Sequence, residues 1–92
     1  MTPEASETLA LHAFAWIVGQ DDMRGVFMGS AGLSEDDLRH RADDPEFLGA
    51  VLDFLCMDDD WVIGFCDAHG LAYTDPMAAR AALPGGQQVH WT

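Results

Sequence analysis

The sequence predicts an all-α domain, a compact array of about six short helices. Three observations carry this expectation. Acidic or hydroxyl residues stand ahead of each apolar run, where N-caps and first-turn acids belong. Inside the runs, apolar residues recur at spacings of three and four. No segment alternates at period two, and the β-branched cluster Ile17-Val18 sits inside a helical pattern.

The elements follow in chain order. Thr2-Pro3-Glu4 or Ser6 opens a first helix through LALHAFAWIV to about Gln20, with proline tolerated in the first turn. Asp21 or Asp22 opens a second, closed by Gly32 where a left-handed C-cap would sit. Ser34-x-x-Asp37 resembles a capping box with Asp in place of Glu, and starts a short third helix ending near Ala42. Asp44-Pro45-Glu46 starts a fourth, FLGAVLDFLCM, with Leu48, Val51, Leu52 and Leu55 as its stripe and Phe47 and Phe54 widening it. Asp58-Asp59-Asp60 starts a fifth, striped by Trp61, Val62, Phe65 and Cys66 and closed by Gly70; Asp75-Pro76 starts a sixth, stopped by Pro84-Gly85-Gly86. Residues 1–86 then form one domain, with 87–92 a C-terminal tail.

A displacement of 38 residues brings the two halves into partial register. Asp21, Asp22, Phe27, Gly32, Leu33 and Asp37 fall on Asp59, Asp60, Phe65, Gly70, Leu71 and Asp75. Two readings account for this. Either a three-helix unit is duplicated, as residues 7–42 and 45–80, or two acid-capped helices ending in Gly match by chance. Duplication predicts halves packed about a pseudo-twofold axis with their first helices central, and the nearly all-apolar Leu9–Val18 segment suits a central helix.

The stretch AGLSEDDLRHRADDPEFLGAVLDFLCMDDD and the closing ARAALPGG resemble a family of short, acidic, all-helical alphaproteobacterial proteins known only as a domain of unknown function. The resemblance spans roughly Glu4 to Gly86. Its most specific part is Gly32-Leu33-Ser34-x-x-x-Leu38-Arg39, followed by Asp44-Pro45-x-Phe47-Leu48 and Val51-Leu52-x-Phe54-Leu55. It implies a helical cytoplasmic bacterial protein and offers no catalytic residues to carry over.

Ninety-two residues hold one core, and a formal charge of −12, with four arginines and no lysine, argues against nucleic acid or an anionic membrane as partner. Fourteen of the 16 acids fall at proposed helix starts, so caps and helix dipoles explain them before metal binding does; only Asp53 and Asp67 lie well inside helices. The acidic N-terminus is unlike a signal peptide, and two cysteines are too few for a disulfide scaffold, which makes the expected compartment the cytoplasm.

No catalytic, cofactor or metal residues are expected. Cys56, Cys66 and His69 are the only soft-ligand group, and four zinc ligands would require His12 or His40 to converge on them. Ser30 in M-G-S-A-G lacks both the spacing and the preceding strand of a nucleophile elbow, and its segment reads as a fraying helix end. Cys56 lies in an apolar stripe where burial makes a thiol inert. The expectation is therefore not an enzyme. The leading reading is a protein–protein interaction module whose partner is an unidentified protein with a basic or apolar recognition surface, or a second copy in a homodimer. Candidate interaction residues are Trp91 in the tail, His12 as a hydrogen-bonded group at a helix–helix contact, and Arg39 and Arg41, which could touch phosphates. Those arginines motivate the alternative: a regulatory, nucleic-acid-linked protein, either a modified helix-turn-helix reader or an acidic nucleic-acid mimic. Against a reader, Glu35, Asp36 and Asp37 occupy the helix turn that would meet the bases.

Overall fold

A computed structural model describes residues 1–32 and 34–83, excepting the side chains of residues 30, 31, 35, 38 and 39. Its elements are α1 (Pro3–Val18), α2 (Asp21–Ala31), α3 (Glu35–Arg41), α4 (Pro45–Leu55), α5 (Asp59–His69) and α6 (Asp75–Ala82). Among the described residues none forms a strand, so the protein is all-α.

The helix starts follow the side chains that cap them. Thr2 accepts from the Ala5 amide at 3.1 Å, Asp44 from Glu46 at 3.0 Å and Asp58 from Asp60 at 2.8 Å. Ser34 and Asp37 form the reciprocal capping box: the Ser34 hydroxyl accepts from the Asp37 amide, and an Asp37 carboxylate oxygen accepts from the Ser34 amide. Two glycines end helices in the left-handed region, Gly32 at φ 67° and Gly70 at φ 67°, where any other residue would be strained. Their amides donate to the carbonyls of Met28 and Cys66, which closes α2 and α5. The Leu71 amide also reaches the Cys66 carbonyl, at 2.9 Å.

Three helix ends differ from the sequence reading, in two ways. First, α1 stops at Val18, before Gly19, and α4 stops at Leu55, leaving Cys56 as its C-cap. Second, the expected fraying in G-S-A-G does not occur, because α2 stays helical through Ala31 despite Gly25 and Gly29.

Helix α1 is central. It packs against α4, α6 and α2, and α4 also packs against α6. Its buried face is mostly small: Ser6, Ala10 and Ala13 with Leu9 and Ile17. That of α4 is larger, with Phe47, Leu48, Val51, Leu52, Phe54 and Leu55. Small residues on one helix admit the large ones of its neighbour, and each fully buried aliphatic or aromatic side chain contributes about 1.5–3 kcal/mol. The one buried polar residue among those described, Ser6, is satisfied by donating to the Thr2 carbonyl at 2.9 Å.

Aromatic contacts cross between the halves. Phe27 meets Phe54 edge-on at 5.0 Å, and Phe65 meets Trp16 edge-on at 5.9 Å. Adding 38 to 27 and subtracting it from 54 turns the first pair into the second. The two contacts thus join positions related by the same 38-residue displacement. Gly64 provides the room for Trp16: a Cβ there would lie 3.2 Å from the indole.

Candidate interaction surface

Where α5 turns into α6, the backbone is tightly held. After Gly70, the Cys66 thiol donates to the Ala72 carbonyl at 3.4 Å, Asp75 accepts from the Ala72 amide at 3.0 Å, and the Tyr73 hydroxyl donates to Asp67 at 2.7 Å. The carboxylate holding its proton pushes the Tyr73 phenol above its ordinary pKa. Tyr73 is thereby fixed on the surface with its ring turned to one side of this junction.

Beside that ring lies an apolar cleft of about 280 Å³, lined by Cys56, Asp59, Val62, Ile63, Tyr73 and Met77. Its apolar residues are open to solvent to an unusual degree. Met77 is 68% exposed, Tyr73 53% and Ile63 41%, and Met57, next to Cys56 in sequence, is 76% exposed. Each is easily ignored alone; Ile63, Tyr73 and Met77, lining one cleft, amount to a patch. Asp59 lines it, and the segment that builds it is acidic: residues 53–80 contain six aspartates and one arginine, Arg80, which is paired with Asp53 at 2.6 Å.

A second cleft, of about 490 Å³, lies at the start of α2 and is lined by Gln20, Asp21, Asp22, Met23, Val26 and Trp61. It is more polar, and its large residues are partly committed elsewhere: Met23 is buried and Trp61 stacks on Phe54 at 4.9 Å.

The predicted residues fall in different places. His12 is exposed on α1, and its ring stacks on that of His69 with centroids 5.5 Å apart; His69 in turn leans on Phe65 at 4.7 Å. The stacked rings join α1 to α5. Arg41 is exposed at the end of α3, the side chain of Arg39 is outside the described atoms, and Trp91 lies outside the described residues. Asp37 is locked to Ser34, whose amide and hydroxyl hold its carboxyl below the usual aspartate range, so the first turn of α3 keeps its negative charge.

The soft-ligand group does not assemble. Cys66 is buried with its thiol turned to a carbonyl, Cys56 is half-buried in the apolar cleft, and His69 stacks on His12. Among the described residues, no three His, Cys, Asp or Glu side chains are grouped to hold a metal ion. Burial, followed by neighbouring aspartates, pushes both thiols above the ordinary cysteine value. Thiolate chemistry is correspondingly disfavoured.

Periodicity pointed to Trp61, Val62, Phe65 and Cys66, of which Val62 lines the cleft, and passed over Ile63, Tyr73 and Met77. One signal was available. Ile63 is a large β-branched residue lying off that stripe, and a helix that places such a residue on its polar side has a face to explain.

Fold and surface together define a small all-helical domain with an apolar cleft on its α5–α6 face, bordered by Asp59. The chain belongs to the family described as a protein of unknown function, DUF3572, whose model matches residues 3–86. Among curated proteins and among solved structures, none matches. No helix among the described residues is long and apolar enough to cross a membrane.

Proposed function

We propose that this domain is a non-enzymatic, cytoplasmic protein–protein interaction module that docks its partner through the face formed by α5 and the start of α6. The observation that carries the reading is the cluster Ile63, Tyr73 and Met77 around a cleft, held open to water on a rigid junction. A well-packed helical domain that buries Phe65, Cys66 and Ala79 just beneath has an apolar interior to spare and still leaves these side chains outside. At about 280 Å³ the cleft is smaller than the ~300–1,000 Å³ typical of small-molecule sites, and it suits one or two side chains of a protein ligand. The two free, high-pKa thiols fit a reducing compartment.

The test is a matched pair of baits in native cell extract, the full chain and its Met77→Asp variant. Met77 is largely exposed, so the variant should keep its circular dichroism and its melting temperature. A protein recovered stoichiometrically by the parent and lost with Met77→Asp supports the reading. Equal recovery by both, or none by either, contradicts it.

A further inference from the structure

Resting on that reading, we infer that the occupant of the α5–α6 face is a basic amphipathic helix, a segment whose apolar side chains enter the cleft while flanking lysines or arginines meet the aspartates of α5 and its junction with α6. Asp59 lines the cleft and Asp67 stands at its rim, fixed by Tyr73. Asp58 and Asp60 adjoin it in sequence at the start of α5, and Asp75 faces the junction through the Ala72 amide. The nearest strong cation, Arg80, is engaged by Asp53. The field over this face is therefore negative. A ligand must supply positive charge around its apolar anchor, or leave carboxylates desolvated without partners.

The shape agrees with the charge. Val62, Ile63 and Asp59 lie on one side of α5, Tyr73 in the connection that precedes α6 and Met77 in the first turn of α6, and together they line a trough. Grooves of this kind accept the anchors of a helix at spacings of three, four and seven residues, and exposed methionines adapt to whatever anchor arrives. A second copy of this chain fits poorly, because it brings another −12 of charge and the same aspartates to the same place. The segment 84–92, PGGQQVHWT, has apolar Val89 and Trp91 but no lysine or arginine to answer these aspartates.

The experiment uses the full chain and three labelled peptides read by fluorescence anisotropy. They are a Leu/Lys amphipathic helix of about 18 residues, ~27 Å long, its Leu/Gln counterpart and its Leu/Glu counterpart. Met77→Asp and Ile63→Asp are decisive because they add negative charge to the face. Diffuse attraction would be strengthened by them, whereas seating in an apolar cleft would be weakened.

The Leu/Lys peptide should bind saturably to the parent. It should bind about tenfold more weakly to both variants and bind Val26→Asp, in the other cleft, undiminished. Because charges are screened beyond about 8 Å at physiological salt, raising the salt should weaken the parent complex without abolishing it. Binding that both variants leave unchanged or strengthen overturns the inference. Equal binding of the Leu/Gln peptide overturns the basic character of the ligand while leaving the docking face standing, which separates this failure from failure of the interaction reading. Parent self-association that Met77→Asp abolishes gives the face to a second copy. Contacts from the Trp91 indole to Ile63 or Met77 in the free chain give it to residues 84–92. Either result also overturns the inference.

Discussion

Helices α1 to α3 and helices α4 to α6 resemble each other where they meet and differ where they face water. Helices α2 and α5 occupy ranges displaced by 38 residues, Asp21–Ala31 and Asp59–His69, and each ends on a left-handed glycine with the same hydrogen bond. Phe27 and Phe65 are both buried and each crosses to the other half. Beyond that shared frame the halves part. On the matching positions of the central helices, Ala10 and Ala13 stand against Leu48 and Val51, so one half supplies hollows and the other fills them. The third helices differ most: α6 packs on both α1 and α4, while among the described residues α3 makes no comparably dense packing. A single chain can vary its two halves independently.

The sharpest way to break the comparison is to empty its two equivalent positions. Phe27→Ala and Phe65→Ala should each cost about 3–5 kcal/mol in denaturant unfolding, with similar values for the two. If one costs less than about 1 kcal/mol, the crossed aromatic contacts are not the frame they are taken to be.

The turn glycines come next. Gly32→Ala and Gly70→Ala should each lose about 1–2 kcal/mol, since an added Cβ meets nothing within 4 Å and the cost is backbone conformation alone. Unequal losses would show that the two turns are alike in angle but not in constraint.

A smaller effect sharpens the contrast between α5, capped by Asp58, and α2, whose N-cap Gln20 makes no side-chain bond. Asp58→Ala should destabilise by about 1 kcal/mol, and Gln20→Ser should stabilise by a similar amount. Thermal melts would read both changes, and a neutral Gln20→Ser would mean that the start of α2 is satisfied by solvent.

The smallest effect belongs to α3. Asp37 has its pKa lowered in the folded state, so its contribution is present above the ordinary aspartate value of 3.8 and lost as pH falls through the lower folded value. Amide exchange should show α3 fraying at acid pH ahead of α5, whose capping Asp58 sits in a better-packed element. Ser34→Ala should abolish that pH dependence.

Most of the fold was legible because caps are local. Thr2, Ser34, Asp44 and Asp58 announce helices through a hydroxyl or carboxylate a few residues from the amide it satisfies, and Gly32 and Gly70 end them by a property of one residue. The surface was not legible, because it depends on which helices become neighbours. Cys56, Ile63, Tyr73 and Met77 belong to no motif and share no helical stripe; only the folding of α5 and the start of α6 around one cleft unites them. His12 shows the same limit. Its position at a helix contact could be read from an apolar run, but its partner, His69, could not.

The central claim is that the halves share a core and only the second carries the docking face. Methionine methyls report on both directly, since Met23 and Met28 lie in α2 of the first half and Met57 and Met77 in the second. In a methyl-labelled full chain titrated with the Leu/Lys helix, the Met57 and Met77 signals should move progressively while those of Met23 and Met28 stay in place. Movement centred on Met23 and Met28, with Met77 unchanged, would contradict the account.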